Sequence, residues 1–260
     1  MNECATEARA DDRRPDGAGD STSDVSVAVS TVIFALDDRS EPPTGIITAG
    51  AAVSEISRAS LRLPLVRRIR SPHEGQWALP GGPLSSESAL AAAASATLRD
   101  TTGLEPTYLE QLFAFGDIGR SPGSRVVSIV YWALVRSDEA ERASIDDNTR
   151  WFPADALPEL AFDHNEIVAY ALWRLRTKME YARIAHAFLG ETFTLAQLRE
   201  VYEAVLGKRL DPANFRRQVE ASGSLIATDR QLEGGRHRPP RLYRYNQSVV
   251  MADNGPLVHS

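Results

Sequence analysis

The side chains of this sequence best suited to doing chemistry are an asparagine and a group of arginines near the C-terminal end. Asn214 and Arg217 stand three residues apart in a segment that opens with Asp211-Pro212 and closes at Gly223. Each can make paired hydrogen bonds to a base edge, asparagine to adenine and arginine to guanine. Arg216 flanks them and suits a phosphate oxygen. Further on, Gly234-Gly235-Arg236-His237-Arg238-Pro239-Pro240-Arg241 is a short turn loaded with cations, the composition of a loop that grips phosphates or enters a narrow minor groove. From Gly207 to Ser248 there are nine basic and four acidic side chains, a balance of +5; with −6 for the whole chain, −11 is left elsewhere. One arginine alone is by default a solvated surface charge. A cationic window on an acidic chain is the footprint of a local polyanion site.

Two helices and a hairpin are needed to position these residues. Thr194-Leu195-Ala196-Gln197 has the spacing of a capping box, in which the hydroxyl and the amide side chain each satisfy the other residue's backbone N–H. Leu195, Leu198, Val201, Tyr202 and Val205 follow at helical spacing, and Gly207 stops the helix. Asp211 then caps a second helix with Pro212 at its first position, where the missing N–H costs nothing. On that helix Phe215 and Val219 fall to one side, while Asn214 and Arg217 lie largely on the other, near the N-terminal half where recognition helices meet base edges. Leu225–Thr228 and Leu242–Tyr245, turned at Gly234-Gly235, read as a hairpin. Helix pairs alone are common and usually structural. With a basic hairpin they predict a winged helix over 188–248 and double-stranded DNA as its partner.

The composition narrows the rest. The chain has 260 residues, 43% apolar and 25% charged, enough for one large soluble domain or two modest ones. Its apolar runs fall short of the roughly 18–20 residues that span a bilayer. Glu3, Glu7, Asp11 and Asp12 are wrong for a secretory signal, and Cys4 has no second cysteine to pair with, so the cytoplasm is the expected compartment. His164 and His186 have no ligand companions at metal-binding spacing and read as structural or capping residues. Residues 1–24 are polar and read as a disordered tail, and 249–260 as a C-terminal tail. Between them, strands are expected at Val25–Leu36, Leu61–Arg70, Tyr108–Phe115 and Val126–Val135. An Ala-rich helix is expected from about Glu87 to Thr102, capped by Ser86 and closed by Gly103, with a short helix near Ala154–Leu157. A longer helix over 163–187 would link this α/β region, 25–162, to the winged helix.

Trp77–Leu104 resembles a Nudix box, G-x5-E-x7-R-E-U-x-E-E-x-G-U with U apolar: Gly82 and Gly103-Leu104 meet its two ends without a gap. In that box three glutamates at i, i+3 and i+4 of a helix gather Mg²⁺, which clamps a diphosphate and activates water. Here those positions are Thr97, Asp100 and Thr101, and the box's arginine and isolated first glutamate are Ala96 and Ser88. A register one residue earlier gains Glu87 but offers Ser95, Ala96, Arg99 and Asp100 and misplaces the glycine. Neither register rebuilds the carboxylate cluster, so the resemblance implies the fold without catalytic residues, metal or cofactor. It also implies a pocket shaped for a nucleoside diphosphate. Arg67, Arg68, Arg120 and Arg125 are the candidates to hold the diphosphate, around the turn containing Trp77, Gly81 and Gly82. Trp77 would stack on a base or plug the core, and core packing is the commoner use of a tryptophan beside a Pro-Gly-Gly turn.

The likeness extends further. Leu65-Val66-Arg67-Arg68, Gly75–Gly82, Arg125–Ser128, Ala161–His164 and above all Phe193–Tyr245 resemble the NrtR-type Nudix-related regulators of NAD metabolism. The implied fold class is α/β: a Nudix-type α/β/α sandwich followed by an α+β winged helix-turn-helix domain. The implied function is that of a homodimeric repressor of NAD biosynthesis or salvage genes that senses ADP-ribose. Two other readings compete with it. One is an active Nudix hydrolase of ADP-ribose or a related compound, against which Thr97 and Thr101 count. The other is a ligand-binding module whose basic hairpin meets protein, against which Asn214 and Arg217 count.

Overall fold

The computed structural model describes residues 24–38, 59–105, 108–143, 147–181, 183–231 and 240–246. The two expected tails (apart from Asp24), most of the loop 38–60 and the tip of the basic hairpin lie outside the described residues.

β1 (Ser26–Asp38) is the spine of a seven-stranded mixed sheet. Its residues are apolar on both faces, as a central strand requires, and the period of two sorts them. Val32, Phe34 and Leu36 enter one core, and Ile33 and Ala35 enter the other. β2 (Ala59–Arg67) pairs antiparallel on one side of β1. β3 (Trp77–Ala78) extends the sheet beyond β2, and β4 (Gly81–Pro83) pairs with β1 itself. A Cβ on Gly81 would stand 2.6 Å from the Val29 carbonyl oxygen, so only glycine lets β4 lie this close. After α1 (Leu90–Thr102) come β5 (Tyr108–Phe115) and β6 (Val126–Val135). β6 runs parallel to β1 from Ser26↔Val126 to Ala35↔Val135, and β5 is the outer neighbour of β6. The short α2 (Ser137–Ala140) leads to β7 (Thr149–Pro153), which pairs with β2. α1 covers one face through Leu98, and α3 (His164–Tyr181) covers the other through Ile167, Val168, Ala171 and Leu175. These layers are the expected α/β/α sandwich.

Several expected boundaries move, each for a local reason. α1 starts at Leu90, three residues after Glu87, and Ala89 rather than Ser86 occupies the N-cap, without a side-chain bond. The serines before it form turns instead: Ser85 Oγ accepts the Glu87 N–H at 3.3 Å and its carbonyl accepts the Ser88 N–H at 3.2 Å. The C-terminus is as expected, with Gly103 at φ 70°. β2 ends at Arg67 rather than Arg70 because the chain folds back there. Arg68 N–H donates to the Gln76 carbonyl at 2.9 Å and Gly75 N–H returns to the Arg68 carbonyl at 2.8 Å. The segment Ala154–Leu157 is a turn, and the helix expected over 163–187 divides into α3 and a 3₁₀ helix, Arg183–Phe188.

α3 is anchored at both ends. At its first residue, His164 is buried and its Nδ1 accepts the Leu79 N–H at 2.9 Å, the structural role expected of it. Near its last turn, Lys178 is only 6% exposed. Its ammonium pairs with Glu110, reaches the Tyr108 hydroxyl at 2.9 Å and sits 5.5 Å from the Trp132 ring centre. α4 (Leu195–Leu206), α5 (Pro212–Ala221), β8 (Leu225–Gln231) and β9 (Arg241–Tyr245) complete the chain. Phe193 joins the hairpin by exchanging backbone hydrogen bonds with Tyr243 at 3.0 and 2.8 Å. Leu198, Val201, Val205, Phe215 and Tyr243 belong to the same apolar core as Val32, Leu61 and Leu175. The winged helix and the sandwich therefore share one interior.

Burial, only partly offset by the neighbouring Asp163 carboxylate and reinforced by Arg120, Arg68 and His73, pushes the His164 pKa down from 6.5 to about 4. The folded chain thus resists a proton that the unfolded chain accepts. This contribution to stability is whole above about pH 6.5 and drains away as the pH falls toward 4. Against His164→Asn, whose Oδ1 can take over the bond from Leu79, the wild-type stability is expected to drop by about 3 kcal/mol more across that window. Urea unfolding at a series of pH values measures the difference; a constant gap between the two proteins would contradict it.

Candidate nucleic-acid interface and effector site

The helix α5, expected to meet DNA, is held from beneath and behind. Thr194 Oγ1 accepts the Gln197 N–H at 3.1 Å and Gln197 Oε1 accepts the Thr194 N–H at 2.8 Å, so α4 begins with the full capping box. Gly207 ends α4 at φ 65°. The turn that follows is fixed by Glu203, only 2% exposed, whose Oε1 accepts the Leu210 N–H at 2.9 Å. Arg199 and Arg209 bracket that carboxylate at 3.7 and 3.9 Å. Asp211 Oδ1 then caps α5 by accepting the Asn214 N–H at 2.7 Å. Phe215 is buried and packs edge-on against Tyr202, with ring centres 5.3 Å apart. This anchor turns the opposite side of α5 outward.

On that outer side Asn214, Arg216 and Arg217 are all exposed. Arg217 Nη2 donates to Asn214 Oδ1 at 2.7 Å, and Arg216 Nε donates to Glu220 at 3.0 Å. The two residues expected to read bases are thus bonded to each other, which orients both, and the bond uses neither donor of the Asn214 amide NH₂. Arg241 is exposed at the start of β9. Arg236 and Arg238 lie outside the described residues. Glu203 is the functional support that sequence reasoning missed: within an apolar helical repeat it reads as a solvated charge.

In the sandwich the candidate residues are placed as follows. Thr97, Asp100 and Thr101 lie on α1, where Thr101 Oγ1 donates to the Thr97 carbonyl at 2.7 Å and Asp100 is exposed. Among the described residues no group of three His, Cys, Asp or Glu side chains is positioned to hold a metal ion. Arg67 Nε donates to the Gly75 carbonyl at 3.2 Å. Arg68 Nε donates to Pro72 O at 2.8 Å, and its guanidinium lies 4.6 Å over the Phe162 ring; burial lowers its pKa from the usual 12.5. The Arg120 side chain is 5% exposed and grips Asp163 with two hydrogen bonds of 2.9 and 2.7 Å. Arg125 holds the Gly116 and Asp117 carbonyls at 2.5 and 3.2 Å. Trp77 is half-buried against Phe152 at 5.1 Å, with Arg150 over its ring at 5.6 Å. Gly81 and Gly82 lie in β4.

Arg68 and Arg120 therefore converge on adjacent residues, Phe162 and Asp163, immediately before α3. His73 closes the group, its ring edge-on to Phe162 at 4.7 Å. Both His73 and Phe162 have positive φ, 64° and 57°, an arrangement that L side chains rarely adopt and that marks a locally strained cluster. No residue type in the sequence signals it.

Residues 185–245 match the NrtR DNA-binding winged helix domain, and residues 47–171 match the NUDIX domain. An ADPR responsive transcriptional repressor of Acinetobacter baylyi, NtrR, is 30% identical over 226 residues, which span 85% of this chain and 90% of the repressor. The NrtR of Shewanella oneidensis, whose crystal structure includes a 27mer DNA, is 29% identical and aligns with a TM-score of 0.66 over 85% of this chain and 93% of that one. An ADP-ribose pyrophosphatase of Methanocaldococcus jannaschii is 30% identical over 124 residues, 47% of this chain and 73% of the enzyme. Sandwich and winged helix match together, in one chain and over nine-tenths of a known repressor. The protein belongs to the NrtR family of Nudix-related transcriptional regulators.

Proposed function

We propose that this protein is a repressor of NAD biosynthesis or salvage genes whose winged helix binds DNA and whose Nudix half senses ADP-ribose or a related NAD-derived nucleotide without hydrolysing it. The observation that carries the reading is the exposed Asn214–Arg217 pair on a helix whose other side is locked by Phe215 and Asp211. Two copies would present two such helices to a roughly palindromic operator, with half-sites about one helical turn apart or a multiple of it. The ADPR responsiveness of the Acinetobacter baylyi relative supports the effector.

The geometry before α3 supplies a route from effector to DNA. A diphosphate arriving at Arg120 or Arg68 competes with Asp163 and with the Phe162 ring for the same guanidinium groups. Either exchange releases the residues that lead into α3, and α3 shares its core with α4 and α5. The rival hydrolase reading draws on the kinship with the Methanocaldococcus jannaschii pyrophosphatase. Thr97 and Thr101, and the back-bonding of the Thr101 hydroxyl to its own helix, count against it.

With Mg²⁺ or Mn²⁺ the purified protein is expected to leave ADP-ribose intact; turnover that disappears in Asp100→Ala would establish the hydrolase instead. Calorimetry should detect ADP-ribose binding, weakened by Arg120→Ala. If ADP-ribose, NAD and nicotinamide mononucleotide all fail to bind at millimolar concentration, the effector assignment falls. On DNA from the gene's own upstream region, Arg217→Ala is expected to cost about 1–3 kcal/mol and relax preference at one base position. Arg236→Ala with Arg238→Ala should weaken binding to every sequence and flatten its salt dependence, by nearly one unit of slope for each phosphate that is no longer neutralised. Unchanged affinity in both variants would remove the winged helix from DNA recognition.

A further inference from the structure

A cavity of about 460 Å³ lies beneath α5, between α4, the last turn of α3 and the end of β9. Small-molecule sites run from roughly 300 to 1,000 Å³, so this one has room for a ligand of one or two rings. Its walls are apolar: Met179 and Leu198 are buried, and Leu206, Phe215, Val219 and the Tyr245 ring complete them. Few polar groups interrupt this lining. The Tyr202 hydroxyl has no hydrogen-bond partner among the described residues. Burial pushes its pKa up from the ordinary 10.0, so it stays a neutral phenol. Two charged side chains stand at the rim, Lys208 and Asp211. Asp211 Oδ1 accepts the Asn214 N–H at 2.7 Å, which turns that carboxylate toward the start of α5. Lys208 forms neither an ion pair nor a hydrogen bond among the described residues, whereas its neighbour Arg209 is held by Glu203 at 3.9 Å. The cavity thus combines an apolar interior, a phenol and one unmatched ammonium.

We propose that this cavity is a second small-molecule site, separate from the Nudix half, and that it takes an aromatic carboxylate whose ring enters the apolar interior and whose carboxylate meets Lys208. The lining selects this chemistry. A plain hydrocarbon would leave the Tyr202 hydroxyl and the Lys208 ammonium without partners. A polyanion such as a diphosphate would set charge against Leu206 and Val219, at a large desolvation cost. A monoanion with a flat apolar body answers both demands. The site bears on DNA through two residues of α5. Phe215 anchors the helix against Tyr202, with ring centres 5.3 Å apart, and an inserted ring competes for that contact. Asn214 lies on the rim, where its Oδ1 holds Arg217 at 2.7 Å. An occupant therefore disturbs both the anchor of α5 and its outward pair, and weakens DNA binding. Occupancy of the cavity is independent of the repressor reading, and only its effect on DNA rests on that reading.

The test titrates the full chain with naphthoate by calorimetry, with the uncharged naphthylmethanol as control. The wild type is expected to bind one naphthoate per chain, roughly threefold to fivefold more tightly than the alcohol. Lys208→Gln, at an exposed position, should erase that preference. Val219→Trp, which fills the cavity, should abolish binding of both compounds with unchanged far-ultraviolet circular dichroism; if it fails to fold, Lys208→Gln decides by itself. Excess ADP-ribose should leave naphthoate binding unchanged. Saturating naphthoate should raise the dissociation constant for the gene's own upstream DNA by roughly tenfold. No binding, a carboxylate preference that survives in Lys208→Gln, or displacement by ADP-ribose would each overturn the site. Bound naphthoate with unchanged DNA affinity would overturn its inhibitory role. A wild type that binds naphthoate but no DNA removes the repressor reading and leaves the cavity site standing.

Discussion

The packing of the winged helix onto the sandwich is the constraint on which the rest of the molecule depends. Phe193, Leu198, Val201 and Val205 are buried in the same core as the central strand β1 and the helix α3. Burying each such side chain contributes about 1.5–3 kcal/mol, so separating the two halves would expose a substantial part of the interior. The DNA-binding elements are therefore not a module swinging on a tether. Their orientation is set by the sandwich, and a shift at the start of α3 has a packed path to α5.

The electrostatics of the sandwich follow a related logic. The arginines suited to hold a diphosphate are engaged within the protein: Arg120 with Asp163, Arg125 with two carbonyls, Arg67 and Arg68 with the loop after β2. Burying a guanidinium without such partners would be costly. An anionic ligand bound here, as proposed, would exchange partners instead of meeting free charges. Its affinity is then the difference between two well-made sets of hydrogen bonds, a setting in which small geometric changes alter occupancy.

What is legible in the sequence is local. The capping box at Thr194, the Asp211-Pro212 start and the glycine at 207 are each determined within four residues, and α4 and α5 begin where those signals stand. β5 and β6 match their expected limits because the turn residues 119–123 separate them, and β6 is a near-continuous apolar run, as a strand buried on both faces requires. The start of α1 is harder to read because Ser85, Ser86 and Ser88 are all capping residues by type, and their use in turns depends on the chain around them. Contacts across long separations leave no local signal. The Arg120–Asp163 pair spans 43 residues, and the positive φ of His73 and Phe162 is imposed by tertiary packing. The shared core is likewise hidden, since an amphipathic repeat reveals that a face is buried but not against what.

The hydrogen bond from Arg217 to Asn214 has a consequence for how this protein could change its operator. If Asn214 and Arg217 read bases as proposed, two residues joined in this way would not recognise them independently. Replacing Asn214 removes the acceptor that aims the Arg217 fork, so the base preferred by the arginine shifts together with that of its neighbour. Divergence of the operator would then proceed through pairs of adjacent positions changing in concert. Single-letter drift at either one would meet a side chain still held in place by the other.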